Sequence, residues 1–334
     1  MVETGGGGYL DLAVSATSRT ALDSLPAHLA TRYGIRVTGT TELDLGVFRV
    51  DREDGPPWVA RVFPSVRPLD QVEGDARILR ALERQGFPAE RCAGPEPVSV
   101  LDGQPVLVTG FVEGAPAAGG TGRPGKAAAI LGAMLGRLHA ATAGAAAGSR
   151  RGGAWHHLVM SGGPREEIAA VRSLLEESLP LLDSKARSLH TAVSDALGDA
   201  DDCEGLPEAL LHPDFVPANA IITSDGKMVM IDWAGAGRGP RLWTLAFLLW
   251  AGGARDLRLV DAVISRYIRH VILEEEELAR LAGAVLARPV VFECWRLCVA
   301  RRGFGGAEER IAEARRLSQA IAARARGAIE FGPA

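Results

Sequence analysis

Between residues 35 and 63 apolar and polar positions alternate: Ile35-Arg36-Val37, then Gly46-Val47-Phe48-Arg49-Val50, then Trp58-Val59-Ala60-Arg61-Val62-Phe63. A period of two, rich in β-branched and aromatic residues, predicts strands. The Glu53-Asp54-Gly55-Pro56-Pro57 turn makes the last two a hairpin. From 69 to 85 the period lengthens, and Val72, Ala76, Leu79 and Leu82 form one stripe of a helix. Pro95 and Pro97 break the chain. Strands at 98–100 and 106–108 then flank an Asp102-Gly103 turn, and 22–33 reads as a short helix. Residues 21–112 are thus predicted to be a strand-rich lobe with one main helix, preceded by a loose, Gly- and Ser-rich stretch at 1–20.

Residues 113–125, rich in Gly, Pro and Ala, read as a hinge and linker. Beyond them the pattern is helical to the end, a second lobe at 126–334. The predicted helices are 126–142, 165–178, 184–198, 240–252, 256–271, 274–287, 289–302 and 306–328. One interruption stands out. Ala220-Ile221-Ile222 and Met228-Val229-Met230-Ile231 flank a Ser224-Asp225-Gly226-Lys227 turn, which is a hairpin signal.

The chain has 334 residues, enough for two lobes sharing a cleft, and is 47% hydrophobic, enough to bury a core. Net charge is −4, and Lys126, Lys185 and Lys227 are the only lysines, which gives no electrostatic case for nucleic acid as a partner. Cys92, Cys203, Cys294 and Cys298 show no zinc spacing and read as buried free thiols. Met1 to Gly8 lacks the basic and apolar regions of a signal peptide, and no apolar run is long enough to span a bilayer, so a cytoplasmic protein without membrane contact is expected.

The candidate chemistry sits on the hairpin. His212-Pro213-Asp214 is followed by Asn219 just before the first strand, and Asp232 ends the second. Antiparallel pairing brings Asn219 and Asp232 together. An amide oxygen beside a carboxylate makes a hard-oxygen Mg²⁺ site, completed by phosphates and water. Asp214, on a loop stiffened by Pro213 and Pro217, is placed to accept a proton from an attacking hydroxyl. These are the parts of a phosphoryl-transfer site.

At these residues the chain resembles the aminoglycoside phosphotransferase-like small-molecule kinases. The resemblance rests on His212, Asp214, Asn219 and Ile231-Asp232-Trp233, with support from Leu138-His139 and from Val106 through Gly114, which look like a helix end and an interlobe strand with its hinge. It implies an α+β, protein-kinase-like fold of two lobes and a Mg²⁺-dependent transfer of the γ-phosphate of ATP or GTP. The implied acceptor is a hydroxyl of a small molecule that is aminoglycoside-, macrolide- or amino-alcohol-like. Asp214 would be the catalytic base and His212 the brace of its loop. Asn219 and Asp232 would hold the metal, and the backbone of Gly110 and Val112 would meet the base of the nucleotide.

The chain departs from that pattern in the first lobe. Where the family carries a Lys paired with a helical Glu, it has Arg61, and its helix offers Asp75 on the inward stripe and Glu73 on the outer side. A compensated Arg61–Asp75 pair gripping the phosphates is one reading, and an ordinary structural ion pair is the other. The expected phosphate-covering loop, Thr40 to Gly46, has a single glycine, and Thr244 stands where relatives commonly carry Asp. These departures keep a second function open, that of an inactive nucleotide-binding pseudokinase.

Other features read as background. Gly120 to Lys126 spells most of a phosphate loop, but Ala127 stands where Ser or Thr is needed. Gly235, Gly237 and Gly239 lack dinucleotide-fingerprint spacing and are expected in a loop crossing below the metal site. His156 and His157 are expected in a loop and Arg301 and Arg302 on a solvated face. Glu274 to Glu277 read as a solvated helix start that, with Asp201, Asp202 and Glu204, is also the available acidic lining for a cationic acceptor.

Overall fold

The computed structural model describes residues 23–118, 124–144, 148–155, 162–300 and 306–330. The expectations for residues 1–20, His156, His157, Arg301 and Arg302, and most of the Gly120–Lys126 loop, lie outside the described residues.

The first lobe opens with helix α1, Leu25–Tyr33, ended by Gly34 at φ 66°. Strands β1 (Val37–Asp44), β2 (Val47–Arg52), β3 (Trp58–Val62), β4 (Val98–Leu101) and β5 (Gln104–Gly110) form one antiparallel sheet in the order β1-β2-β3-β5-β4. Asp102 and Gly103, both at positive φ, make the tight turn between β4 and β5. Alternation sorts the two faces. Phe48, Val50, Ala60, Val62, Val106 and Val108 pack against Leu25 and Leu29 of α1. Arg61 faces the other way, with Val47 and Leu107 as its cross-strand neighbours. On that side lies helix α2, Leu69–Arg84, whose Val72, Ala76, Leu79 and Leu82 are buried with Phe63 and Leu107. Each large side chain of this stripe contributes about 1.5–3 kcal/mol of burial.

The second lobe contains α3 (Pro124–Ala141), α4 (Pro164–Ser178), α5 (Ser184–Gly198), α6 (Arg241–Gly253), α7 (Arg258–Tyr267), α8 (Glu275–Cys298) and α9 (Ala307–Glu330). Helices α3 and α7 pack closely because Gly132 and Gly136 leave room for the backbone of Val263 and Tyr267. The predicted break at residue 288 is absent: α8 runs through Pro289. Proline costs the helix one hydrogen bond, but Leu281, Val285, Val290, Val291, Cys294 and Leu297 on both sides of it are buried and hold the axis together. Among the described helices none is long and apolar enough to cross a membrane. Cys203, Cys294 and Cys298 are buried free thiols, and Cys92 is half-buried.

Two small sheets sit between the lobes. The stretch read as linker contains β6, Ala115–Pro116, which pairs with β8, Ala220–Ile222, and β8 pairs with β9, Met228–Met230. The glycine run expected as a loop is instead largely a strand. β10 (Gly237–Pro240) pairs antiparallel with β7 (Glu208–Leu211). A Cβ at Gly237 would stand 2.7 Å from the backbone of Arg151, so only glycine lets three backbone segments lie this close. The first lobe is also stitched directly to β9. Glu90 N–H donates to Met230 O at 3.0 Å, and Met230 N–H to Pro88 O at 2.9 Å.

Candidate active site

β7 delivers the chain to His212, and the hairpin β8–β9 carries it to Asp232. His212 is fully buried. Its Nε2 donates to Ile231 O at 3.0 Å and its Nδ1 accepts from the Asp214 N–H at 2.9 Å, while its ring meets Trp233 edge-on at 4.6 Å. Burial pushes its pKa down to about 4, so the ring is a neutral brace with one defined tautomer. Thr244, at the departure noted above, donates to the His212 carbonyl from α6 at 3.4 Å.

Asn219 Nδ2 donates to the Asp214 carboxylate at 2.8 Å and to the Asp214 carbonyl at 3.0 Å. Register does the rest. Ile231 N–H donates to Asn219 O at 2.9 Å, and so Asp232 emerges beside Asn219, as the hairpin requires. Asp232 is held at φ 68°, a left-handed conformation that a non-glycine residue adopts at a cost of about 1–3 kcal/mol. That cost is met by Glu90, whose Oε1 accepts from the Asp232 and Trp233 N–H groups at 2.7 and 3.3 Å.

Burial raises the Asp214 pKa. Arg288 pulls against that shift, and Asp232 adds to it. Arg288 comes from α8 and is nearly fully buried. It donates to Glu167 Oε1 at 2.9 Å and to the Pro213 carbonyl at 3.3 Å, and its guanidinium lies over Phe247 and Trp243 at 4.6 and 5.2 Å. A cation is thereby fixed behind the catalytic loop.

The proposed Arg61–Asp75 pair is not formed. Arg61 Nη1 lies 2.7 Å from Asp232 Oδ1. Burial works against the Arg61 charge, but Asp232, Glu90 and Asp75 outweigh it and leave its pKa raised. Asp75 points inward as its stripe predicts, and Glu73 is exposed. Asp75 accepts instead from Arg67 Nη2 at 2.6 Å, Arg150 Nη2 at 2.7 Å and the Gly235 N–H at 3.0 Å. The short Asp side chain satisfies these nearer donors, and α2 is thus tied to the loop that follows Asp232 rather than to β3. In the hinge, Gly110 N–H donates to Arg91 O at 2.8 Å, and Val112 lies two residues past the end of β5.

Several of the acidic residues named as a lining are paired. Asp201 binds Arg280 at 2.7 Å, and Glu204 lies 3.6 Å from Arg165. Glu274, Glu275 and Glu276 are exposed at the start of α8, as read, while Glu277 alone departs from that reading and is fully buried against Arg241 at 2.6 Å. Its Oε2 also accepts the Glu274 N–H, completing a capping box. Glu90, Arg150 and Arg288 belong to no motif in the sequence, and only their contacts in the fold reveal their tasks.

The donor set suits a hard divalent cation. Asn219 spends its amide nitrogen on Asp214, which leaves the character of its Oδ1 purely that of an acceptor, next to the Asp232 carboxylate. Among the described residues no group of three or more His, Cys, Asp or Glu side chains forms a metal cage. Two protein oxygens with the remainder from phosphate and water is the manner in which Mg²⁺ is held.

Residues 42–284 match the model of the phosphotransferase enzyme family. No curated protein matches the chain by sequence. Among solved structures, an aminoglycoside phosphotransferase from Alicyclobacillus acidocaldarius is similar with a TM-score of 0.60 and 18% identity, over 94% of this chain and 98% of that one. Choline kinase LicA from Streptococcus pneumoniae gives 0.58 and 16%, over 88% and 97%. An aminoglycoside phosphotransferase from Streptomyces rimosus, in complex with ADP and streptomycin, gives 0.57 and 17%, over 81% and 99%. At such identities these likenesses speak for the fold, which is the two-lobed, protein-kinase-like one. The family match spans well over half of the chain, and the chain belongs to the phosphotransferase enzyme family, among the aminoglycoside phosphotransferase-like small-molecule kinases that its central motif resembles.

Proposed function

We propose that the protein is a Mg²⁺-dependent kinase that moves the γ-phosphate of ATP or GTP to a hydroxyl of a small molecule. The observation that carries this is the Asn219–Asp214 hydrogen bond next to Asp232, which gathers base and metal ligands on one hairpin. Asp214 orients the acceptor hydroxyl and takes its proton as the oxygen attacks the phosphorus. Its raised pKa makes it a better base than an ordinary aspartate. His212 holds the loop and takes no proton. Asn219 Oδ1 and Asp232 hold Mg²⁺, whose contribution when bound is to neutralise charge on the phosphate oxygens. Arg61 approaches the same oxygens from β3, the backbone of Gly110 and Val112 meets the base, and Asp75 acts at one remove by fixing Gly235.

The acceptor is a hydroxylated molecule of the aminoglycoside, macrolide or amino-alcohol kind. The pairing of Asp201, Glu204 and Glu277 with arginines leaves these three carboxylates less available to a cationic acceptor. One observation favours the second reading, a pseudokinase: Asp232 is engaged by Arg61. The test is Mg²⁺-dependent release of the γ-phosphate from ATP and from GTP with an acceptor panel of all three kinds. Acceptor-stimulated turnover abolished by Asp214→Asn establishes the kinase. Nucleotide binding without turnover on any acceptor sinks it in favour of the pseudokinase.

A further inference from the structure

One buried carboxylate, one half-buried carboxylate and one guanidinium meet beneath β3. Arg61 Nη1 is 2.7 Å from Asp232 Oδ1, and the pair is mostly screened from solvent, with Arg61 16% and Asp232 29% exposed. The second carboxylate is Glu90, which is buried. It is pinned by three donors: Oε2 accepts from Thr109 Oγ1 at 2.9 Å, and Oε1 accepts from the Asp232 and Trp233 N–H groups. All three donors are neutral. They fix where the Glu90 charge sits without cancelling it. Thr109, Leu107 and Arg61 lie on the same face of the sheet, so the cation facing Glu90 is Arg61.

An oxygen of Asp232 that holds a divalent cation cannot also hold a guanidinium at 2.7 Å, because the two positive charges would repel in a poorly solvated place. Arg61 is rooted in the middle of the sheet and its side chain is only 16% exposed, so a neighbouring anion is the short move open to it. We propose that Arg61 and the metal are alternative partners of Asp232, and that Glu90 is the positioning residue that receives Arg61 when Asp232 engages the cation. Arg61 is then kept in the cleft, turned toward the phosphates, instead of opposing the metal. The role usual for a helical acid in this architecture falls to a residue outside α2. The inference rests on the assignment of Asp232 as a metal ligand.

The test uses the full chain and Mn²⁺ as the probe, with free Mn²⁺ counted by electron paramagnetic resonance, so that no turnover is needed. Arg61→Met removes the competitor and is expected to tighten Mn²⁺ binding about tenfold. Glu90→Gln keeps an acceptor for the Asp232 N–H but removes the charge, leaves Arg61 on Asp232, and is expected to weaken Mn²⁺ binding by about the same factor. In the Arg61→Met background the same Glu90→Gln change should cost little. That non-additivity separates a role through Arg61 from a direct pull on the metal or a merely structural one.

Equal losses on Glu90→Gln in both backgrounds, or an unchanged affinity in Arg61→Met, overturn the exchange. Asp232→Asn is the control for the site itself. If it retains Mn²⁺ binding, the metal assignment and the exchange both fall. If it abolishes binding while Arg61→Met changes nothing, the metal site stands and the exchange alone is wrong. Thermal unfolding of each variant confirms that the protein measured is folded.

Discussion

Asn219 donates to Asp214 from five residues further along the chain, at 2.8 Å, so in the proposed mechanism the group that aims the base would also supply a metal oxygen.

Asn219→Ala should therefore lose more than a metal ligand. Asp214 becomes free to turn away, and a misplacement of about 1 Å costs on the order of 10²-fold in rate. The expected result is a fall in kcat of at least that size that saturating Mg²⁺ does not restore. Full rescue by Mg²⁺ would show that Asn219 acts on the metal alone.

The raised pKa of Asp214 has two consequences of opposite sense. Activity needs the carboxylate, so kcat/KM should fall as pH drops through a value above that of an ordinary Asp, and Arg288→Met should move that limb higher still. Stability runs the other way. The folded state favours the protonated form, so this group's contribution is present below its unfolded pKa and is lost as pH rises through the folded one. Asp214→Asn should raise Tm at neutral pH, with the difference vanishing in acid. A variant less stable than wild type at neutral pH would contradict this.

Buried histidines set the acid limit. The pKa of His212 is held at about 4 by burial, and that of His139, which bonds Tyr267 at 2.9 Å, at about 3. Their folded values lie below the unfolded value of about 6.5. The stability they contribute is complete above that value and lost as pH falls toward 4, because the unfolded chain binds the protons. Urea unfolding at a series of pH values should show a loss of stability across this window that is smaller in His139→Gln. An equal slope in the variant would show that His139 titrates normally.

Glu167 and Arg288 form an ion pair whose side chains are 0% and 2% exposed, at 2.9 Å. Glu167→Ala strands the cation and should cost about 3–5 kcal/mol in urea unfolding, whereas replacing both partners by apolar residues should cost much less. Similar costs for the single and double replacements would show that the pair is not coupled.

How much of this was legible in the sequence divides along a physical line. Alternation placed Arg61 on a strand and 3.6-residue spacing placed Asp75 on an inward helix face. Hairpin chemistry put Asn219 beside Asp232 because antiparallel pairing leaves no other option. These are short-range constraints. The partner of Arg61 is not of that kind. It depends on which of several buried charges lies nearest in three dimensions, and Arg67 and Arg150, 8 and 75 residues from Asp75, took the place expected for Arg61. β10 was hidden for a related reason. A glycine run has no side-chain alternation to read, and its pairing with β7 depends on a third segment passing close by.

The stitching of Pro88 and Glu90 to Met230 gives the two lobes a second backbone attachment, besides the covalent passage after Gly110, whereas the ties of Asp75 to Arg150 and Gly235 run through a side chain that can let go. Two points define a line, and bodies joined along a line retain chiefly one rotation relative to each other. Atoms near that line are displaced least when the cleft opens or shuts. Glu90 and Asp232 lie beside it, and the tip between β1 and β2 lies far from it. Closure is thus expected to swing the cover over the phosphates through a wide arc while the charges that must receive them stay in place.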